Sequence, residues 1–403
     1  MSEDSGAARP PRLAAGLPVS GAWQEGDPAG DRRFFTLDTK RPFVLESGDS
    51  LDSVTIAYET WGTLDSDGSN AVLICHALTG DAHAYDPHLS KRGWWQGVIG
   101  PGEAIDVNRY FVVCANVLGG CQGSIGPASL NPATGRRWAA SFPPVTIRDM
   151  VRTQARLADH LGVKRWLCVV GGSMGGMQAL EWGAMYPARV RSIAPLAVGC
   201  SASPWQIGWS AVGRAAIALD PRWRGGEYYD AEPGDGPHEG LALARAVAQI
   251  TYRSDELFAQ RFGRSLVRPN EQFGLWDRFG VEGYLDYHGE KLVRRFDANT
   301  YLLLNKAMDT HDIGRGRGGL QRAVARIGVP VLTVSISSDT LYPPRQQTEM
   351  RDLLVAADGD CRYVFLESPH GHDGFLVETR AVSAALAEFL ESVEKDHTAP
   401  GTG

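Results

Sequence analysis

Short apolar runs recur along the chain, and glycine, proline or asparagine residues bound most of them. In residues 54–59 apolar and polar side chains alternate, which predicts a strand with one solvent-facing side. The other runs are almost continuously apolar, as parallel strands must be when helices cover both faces of a sheet. These runs are residues 71–75, 110–114, 166–170, 192–197, 329–334 and 362–366.

Apolar residues at helical spacing fill much of the sequence between these runs. The alternation of strand and helix predicts an α/β fold with a doubly wound sheet. From residue 201 to residue 319, however, no buried strand pattern occurs, so this segment is predicted to be a helical insertion between two strands. The helices predicted along the chain are residues 147–161, 174–186, 241–252, 297–308 and 379–393.

The same pattern divides the chain into five parts. Residues 31–200 form the first part of the α/β core, residues 201–319 the helical insertion, and residues 320–394 the second part of the core. The first 30 residues are rich in Gly, Ala and Pro and lack a charged segment followed by an apolar core. We therefore expect a disordered N-terminal extension rather than a signal peptide. Residues 395–403 are expected to be a disordered tail.

Composition narrows the class of protein. Of the 403 residues, 43% are hydrophobic and 22% are charged, which is typical of a globular protein. The net charge of −7 argues against a nucleic-acid partner, which would favour a basic face. No run of about 18 apolar residues occurs, so no membrane span is expected. The six cysteines are scattered without a C-x-x-C pair, which favours reduced thiols and a cytoplasmic protein.

Ser173 lies in Gly-Gly-Ser-Met-Gly-Gly at residues 171–176, which fits the motif G-x-S-x-G between a predicted strand and a predicted helix. A strand-to-helix turn this sharp holds the serine in a strained backbone conformation, and neighbouring glycines avoid clashes. The helix N-terminus and the N–H of Met174 would stabilise an oxyanion. A catalytic nucleophile is therefore favoured over a serine that merely caps a glycine-rich helix start.

An acid and a base for this serine follow it in the order typical of α/β-hydrolases, Ser, Asp, His. Asp339 lies just past the predicted strand at residues 329–334, where a carboxylate can reach the edge of the sheet that holds Ser173. His370 and His372 lie in the loop after the last predicted strand. A general base must come within hydrogen-bonding reach of the nucleophile and be oriented by a carboxylate. The residues alone leave the choice between these two histidines open.

The segment His-Ala-Leu-Thr-Gly at residues 76–80 follows an early strand, whose loop supplies the second oxyanion N–H in this fold. Leu78 is the candidate donor. His76 has no neighbour at metal-ligand spacing apart from His83 and His88, and no carboxylate pattern accompanies them. A structural role is therefore favoured for His76, and no metal site is predicted.

From about residue 35 to residue 389 the chain resembles homoserine O-acetyltransferases of the α/β-hydrolase type. The segments that carry the resemblance are the Ser173 motif, residues 76–83 (HALTGDAH), 93–95 (GWW), 99–102 (IGPG), 116–124 (NVLGGCQGS), 314–319 (GRGRGG), 339–343 (DTLYP) and 371–376 (GHDGFL). The resemblance implies an α/β-hydrolase fold with a helical lid and a cytoplasmic homodimer. It also implies L-homoserine and acetyl-CoA as substrates, with acetyl-CoA as co-substrate and no other cofactor.

The resemblance also assigns residues. It selects His372 as the catalytic base, because the family's histidine lies in a Gly-His-Asp motif. It assigns substrate binding to Asp373, which follows that histidine, and to Arg245 in Leu-Ala-Arg at residues 243–245, ahead of Thr-Tyr-Arg at residues 251–253. The chemistry agrees, since an Arg fork suits the carboxylate of homoserine and an Asp suits its ammonium group.

Several alternatives stay open. A succinyl donor or a serine acceptor would use the same triad, and so would an esterase or thioesterase; a catalytically inactive scaffold is a further alternative. The run after His-Ala-Leu favours the acetyl group of the family over succinyl, whose anionic tail would be disfavoured if Asp81 faced the tunnel. Ile125 stands where the family usually has threonine, which removes a hydroxyl near the expected tunnel.

Overall fold

The computed structural model describes Leu13, residues 16–37 and residues 41–398. A mixed sheet of eight strands forms its centre. Two short two-residue pairings lie outside it, Phe43–Val44 with Ser50–Leu51 and Ile99–Gly100 with Ile105–Asp106. The strands of the main sheet are β1 (Arg33–Leu37), β2 (Val54–Trp61), β3 (Ala71–Cys75), β4 (Phe111–Ala115), β5 (Cys168–Gly172), β6 (Ile193–Leu196), β7 (Val331–Ile336) and β8 (Cys361–Leu366).

Eleven α-helices are found in the described residues, together with short 3₁₀ segments. The α-helices are α1 (Ile147–Leu161), α2 (Met174–Met185), α3 (Pro204–Leu219), α4 (His238–Thr251), α5 (Asp255–Phe262), α6 (Gly280–Val293), α7 (Ala298–Asp309), α8 (Leu320–Val324), α9 (Pro344–Ala356), α10 (Gly374–Val377) and α11 (Thr379–Thr398). The 3₁₀ segments are Ala139–Ser141, Pro187–Arg189, Pro221–Gly226 and Gly371–Asp373.

The strand order across the sheet is β1-β2-β4-β3-β5-β6-β7-β8. β1 and β2 are antiparallel to their neighbours, whereas β4, β3, β5, β6, β7 and β8 run parallel. Parallel strands end at one edge of a sheet, where α/β proteins place their sites. The loops after β3, β5, β7 and β8 therefore meet at one edge, and these loops carry the candidate catalytic residues.

Helices cover both faces of the sheet, and successive residues of each central strand point to opposite faces. Leu73 of β3 belongs to the cluster that packs against α1, α2 and α9, whereas Val72 and Ile74 belong to the cluster that packs against α11. Each buried aliphatic side chain of this size contributes about 1.5–3 kcal/mol to the free energy of unfolding. This double covering explains why the central strands are apolar at every position.

The seven predicted strands are all present. β5 begins at Cys168 because Trp166 forms only an isolated bridge with Val190. The prediction missed β1, an edge strand in which only Leu37 is buried, so its sequence carries no alternating pattern. Between β6 and β7, five helices, α3 to α7, occupy the segment that lacked strand patterns. The Leu266–Phe279 pairing within this segment is an isolated bridge.

The prediction of a disordered extension is wrong for residues 16–30. Leu17 is buried, and Gly234 donates a backbone hydrogen bond to its carbonyl. The Ser20 hydroxyl donates to Asp297 over 2.8 Å, which joins this segment to the helical insertion. The predicted tail also begins later than expected, because α11 extends to Thr398. Leu13 is partly buried against the core, and the remaining residues of the predicted extension and tail lie outside the described residues.

Candidate active site

Ser173 occupies the turn between β5 and α2, with φ 57° and ψ −124°. A non-glycine residue in this region carries backbone strain of about 1–3 kcal/mol, which the surrounding structure must offset. The Ser173 N–H donates to the carbonyl of Leu196 in β6 over 3.0 Å, so the neighbouring strand holds the turn in place. The serine is buried at the edge where the parallel strands end.

The glycines around Ser173 are required by close contacts. A Cβ on Gly172 would overlap the ring of Phe375, and a Cβ on Gly171 or Gly175 would overlap the carbonyl of Cys75 at the end of β3. The three positions therefore let α2 begin directly against the sheet. The motif is thus explained by packing as well as by chemistry.

His372 and Asp339 form a buried hydrogen-bonded pair, with 2.7 Å between His372 Nδ1 and Asp339 Oδ2. The other carboxylate oxygen, Oδ1, accepts the backbone N–H groups of Leu341 at 2.9 Å and Tyr342 at 2.8 Å. Burial lowers the pKa of His372, but the charge and hydrogen bond of Asp339, together with the charge of Asp373, outweigh it and place the pKa above 6.5. His370 Nε2 lies instead 3.8 Å from Glu378 Oε1. Of the two candidate histidines, His372 is therefore the one that contacts Asp339.

Ser173 and His372 share two aromatic neighbours. The Tyr342 ring stacks on the His372 ring with 4.9 Å between their centroids. Burial holds the pKa of Tyr342 well above its usual value, and a side-chain hydrogen bond with Ser173 opposes this rise. Phe375 packs against the backbone of Gly172 and lies 5.6 Å from the His372 ring. His372 Nε2 is buried without a hydrogen-bond partner within residues 16–37 and 41–398, which leaves it available to the nucleophile or a substrate. The stacking role of Tyr342 was not predicted.

The candidate oxyanion donors are the backbone N–H groups of Leu78 and Met174, which belong to the loop after β3 and the first residue of α2. Neither donates a hydrogen bond to another group in the described part of the chain. Unpaired N–H donors, one of them at the N-terminus of α2, favour a negatively charged oxygen.

The oxyanion loop, residues 76–80, is held in one orientation by His76. His76 Nδ1 lies 2.8 Å from the Ala77 carbonyl, which also accepts the Gly80 N–H at 2.9 Å. Because C=O and N–H point in opposite directions across a trans peptide, fixing the Ala77 carbonyl fixes the Leu78 N–H. His76 Nε2 accepts the Val117 N–H at 3.1 Å, which places the ring proton on Nδ1. Burial lowers the pKa of His76, so the ring stays neutral.

The helical insertion contacts the same loop through Arg295, whose guanidinium donates to the Thr79 carbonyl over 2.7 Å. Arg295 follows α6 and precedes α7. No sequence motif marks this contact, so the sequence analysis missed it. It joins the insertion to the oxyanion loop directly.

Both predicted substrate-binding residues contact Tyr252, and the Asp373 N–H donates to the Tyr252 carbonyl over 3.2 Å. The Arg245 guanidinium lies 5.4 Å from the centroid of the Tyr252 ring. Burial raises the pKa of the Tyr252 phenol, the positive charge of Arg245 lowers it, and the negative charge of Asp373 raises it. Tyr252 in turn lies 5.8 Å from the His372 ring. Asp373 is paired with Arg253 at 2.9 Å, a partner that the sequence analysis did not foresee.

A cavity beside Leu78 is bounded by Leu341 of the core and by α3, α4 and α7, and Tyr252 also lines it. Gln206 of α3 faces it, with its side-chain amide buried and unpartnered within the described residues. Ile125, expected near the tunnel, lines a separate cavity with Trp23 and Phe34. The Ile125 backbone N–H donates to the Thr55 carbonyl of β2 over 2.8 Å, and Ile125 does not line the cavity beside Leu78.

Three further findings concern the described residues. No cluster of three or more His, Cys, Asp or Glu side chains is placed to hold a metal ion. Among the helices described, none is both long and apolar enough to span a membrane. All six cysteines are unpaired.

Comparison with known proteins gives two kinds of relative. A family model described as the α/β-hydrolase fold matches residues 70–379. The homoserine O-acetyltransferase of Thermobifida fusca is 51% identical over 378 residues, covering 93% of this chain and 97% of that protein. The crystal structure of homoserine O-acetyltransferase from Bacillus anthracis superposes with a TM-score of 0.82 at 30% identity, covering 89% of this chain and 97% of that one. Esterase E22 superposes with a TM-score of 0.81 at 28% identity, covering 89% and 99%.

Proposed function

The chain belongs to the homoserine O-acetyltransferase family within the α/β-hydrolase fold, and from this premise we propose that it transfers the acetyl group of acetyl-CoA to the hydroxyl of L-homoserine. The products are O-acetyl-L-homoserine, an intermediate for methionine biosynthesis, and CoA. The observation that carries the proposal is that Arg245 and Asp373, which have opposite charges, both contact Tyr252, whose ring lies 5.8 Å from that of His372. An ester hydrolase has no need of opposite charges beside its base, whereas the acceptor amino acid carries a carboxylate and an ammonium group.

The first half of the reaction acylates Ser173. His372 Nε2 takes the hydroxyl proton while Asp339 accepts the Nδ1–H hydrogen bond, and Ser173 Oγ attacks the thioester carbonyl carbon. The N–H groups of Leu78 and Met174 bind the resulting oxyanion, and each such donor contributes about 3 kcal/mol to transition-state stabilisation. The C–S bond then breaks, and His372 returns its proton to the CoA sulfur.

The second half transfers the acetyl group to the acceptor. The Arg245 fork binds the carboxylate of homoserine, and Asp373 binds its ammonium group. His372 takes the proton of the acceptor hydroxyl, whose oxygen attacks the acetyl carbonyl of Ser173. Collapse of the second tetrahedral intermediate releases the ester and restores the serine, so ping-pong kinetics are expected. No cofactor is needed besides acetyl-CoA as co-substrate.

Transfer requires that water be kept from the acetyl-enzyme. Burial of Ser173 and the three insertion helices around the cavity beside Leu78 support this requirement. The nearest rival function is ester or thioester hydrolysis, because esterase E22 has a similar structure. Arg245 and Asp373 favour the transferase.

Thiol release from acetyl-CoA, measured with and without homoserine, tests the proposal. Acceleration by homoserine with matching formation of O-acetylhomoserine supports transfer, whereas equal rates with free acetate as product would identify a hydrolase. Intact-protein mass spectrometry without acceptor should show one acetyl group on Ser173. Turnover with no such adduct would contradict the covalent route.

Donor and acceptor are tested by crossing acetyl-CoA and succinyl-CoA with homoserine and serine. We expect the acetyl-CoA and homoserine pair to have the highest kcat/KM. Asp81, the residue weighed against succinyl, accepts the His83 N–H and lines a different cavity from Leu78, so it gives no argument about the donor. The acetyl assignment therefore depends on the family relationship.

A homodimer in the cytoplasm completes the proposal. The unpaired cysteines agree with a reducing compartment. Large apolar side chains on α3 and α4 are about half exposed, which marks a surface for a second copy. These side chains are Trp205, Val212, Leu243 and Ile250.

Analytical ultracentrifugation should show a dimer, and Trp205→Asp should shift the equilibrium toward the monomer.

A further inference from the structure

The helical insertion carries a group of positive charges beside the site, and the catalytic steps use only one of them, Arg245. His288 of α6 is half-buried, and the positive charges of four side chains disfavour its protonation. Burial and the charges of Arg245, Arg253, Lys291 and Arg261 lower its pKa to about 4. We call these five residues the His288 cluster. Its inner members reach the site, because Arg253 pairs with Asp373, the neighbour of His372.

The outer members lie on aromatic rings. The Arg261 guanidinium stands 4.7 Å from the centroid of Tyr284, whose ring is 4.4 Å from His288. Lys291 Nζ is 5.9 Å from the centroid of the exposed Tyr287, which lies 5.3 Å from His288. Together they present cations and an exposed aromatic face on α5 and α6.

Three cations of the cluster lack counter-charges. Within the residues that the structure covers, Arg245, Arg261 and Lys291 have no carboxylate within ion-pairing distance, and Arg253 has only Asp373. Most arginines elsewhere on the insertion contact carboxylates even though the protein is acidic overall. These pairs are Arg214 with Asp309, Arg222 and Arg224 with Asp235, Arg268 with Glu271, Arg278 with Asp286, and Arg294 with Glu290.

We propose that Arg261 and Lys291, the outer members of the His288 cluster, bind the phosphate groups at the nucleotide end of the acyl-CoA donor. Unpaired cations on a half-exposed surface attract a polyanion, and the several phosphates of CoA supply the missing negative charge. The ring of Tyr287 gives the adenine base a stacking face. Arg245, at the inner end, stays with the carboxylate of homoserine. This inference rests on the proposed function, because it assumes an acyl-CoA donor.

The test compares two thioester donors. S-acetylpantetheine presents the same reacting group as acetyl-CoA but carries no phosphate. In the double variant Arg261→Glu/Lys291→Glu we expect the KM for acetyl-CoA to rise about tenfold or more, since each exposed ion pair contributes a factor of up to about five and reversal adds repulsion. The kcat/KM for S-acetylpantetheine should stay within about twofold of the wild type, because its binding involves no ion pair here.

Arg264→Glu is the matched control. Arg264 is also exposed on the insertion, without a carboxylate partner in the described residues, and stacks 5.3 Å from Phe279, but it does not act on His288. Its KM for both donors should stay within about twofold of the wild type. Adenosine 3′,5′-bisphosphate should compete with acetyl-CoA and bind the double variant about tenfold more weakly.

Two results would overturn the inference: an acetyl-CoA KM within twofold of the wild type in the double variant, or an equal loss with both donors. Active-site titration with a fluorophosphonate counts folded enzyme, and Arg261→Gln/Lys291→Gln repeats the comparison if charge reversal impairs folding. The proposed function is judged separately, because its failure would appear as wild-type enzyme that does not transfer acetyl from acetyl-CoA to homoserine.

Discussion

The core side and the insertion side of the site are built differently. On the core side, Ser173, Asp339 and His372 are all at most 6% exposed, and main-chain hydrogen bonds or packed rings hold each of them. On the insertion side, Arg245 is half-buried, and its guanidinium stacks on Tyr252 without a carboxylate partner in the described residues. From this difference we infer that the core positions the proposed reacting groups, whereas the insertion recognises the molecules brought to them.

The largest effect should come from the core nucleophile. Ser173→Ala should lower kcat by about 10⁵-fold, because the covalent route is lost and only binding and oxyanion stabilisation remain. Steady-state kinetics and mass spectrometry would measure the loss of turnover and of the acetyl adduct. Ser201→Ala, at an exposed serine after β6, serves as control and should retain wild-type kcat. Substantial turnover by Ser173→Ala would place the chemistry elsewhere.

Asp339→Asn should lower kcat by about 10³- to 10⁴-fold. An amide N–H facing His372 Nδ1 favours the tautomer with the proton on Nε2, which cannot accept a proton from Ser173. Thermal unfolding of the variant, followed alongside kcat, separates loss of orientation from loss of fold. A loss below tenfold would show that the core does not need this carboxylate to orient its base.

Paired variants of His76 test whether the core also fixes the oxyanion donor. His76→Gln keeps an acceptor near the Val117 N–H but loses the donor to the Ala77 carbonyl, so kcat should fall about 10²-fold with little change in KM. His76→Asn keeps an amide donor near the Nδ1 position and should lose less activity but more thermal stability, because the Val117 N–H loses its acceptor. Equal losses of kcat would leave His76 with only a structural role.

The core side could largely be predicted from the sequence because each functional residue follows a strand. Ser173, Asp339 and Leu78 were located from a motif, strand ends and chain order, and parallel strands bring their ends to one edge. The choice of His372 over His370 needed the family resemblance. The structure places its ring against Asp339, as a base requires.

The insertion side was less predictable because its contacts join distant segments. Arg295 and Thr79 are 216 residues apart, and only the packing of the insertion on the core brings them together. The helical patterns of α4 and α5 likewise do not show that Arg253 pairs with Asp373. Residues 16–30 were misread for the same reason, since the Leu17 carbonyl accepts its hydrogen bond from Gly234 of the insertion and not from a neighbour in sequence.

On the insertion side, Arg245→Met should raise the KM for homoserine about 30-fold, as expected when a charge-assisted hydrogen-bonded pair is lost. The effect on kcat should stay small if the core sets the chemistry. A large rise in KM with little change in kcat would therefore support the proposed division of roles between the core and the insertion. Arg294→Met, at an exposed arginine next to the end of α6, is the matched control. A fall in kcat as large as that of His76→Gln would break the comparison.

The smallest predicted effect joins the two sides through Asp373. Because Asp339 and Asp373 raise the pKa of His372 above 6.5, acylation should be lost as the pH falls through that raised value, where the imidazole is protonated and cannot accept the Ser173 proton. Asp373→Asn removes one negative charge and leaves Arg253 unpaired nearby. Both changes disfavour the imidazolium form of His372. The acid limb of the pH–rate profile for acylation should therefore move to lower pH by about half a unit.

The pH dependence of thiol release in the first turnover with acetyl-CoA measures this shift without homoserine. Asp352→Asn changes an exposed carboxylate that pairs with Arg351 and should leave the acid limb in place. A limb that does not move in Asp373→Asn would mean that Asp339 alone sets the basicity of His372. A limb that moves as predicted would show that Asp373, the core carboxylate that pairs with Arg253 of the insertion, also raises the basicity of the base that Asp339 orients.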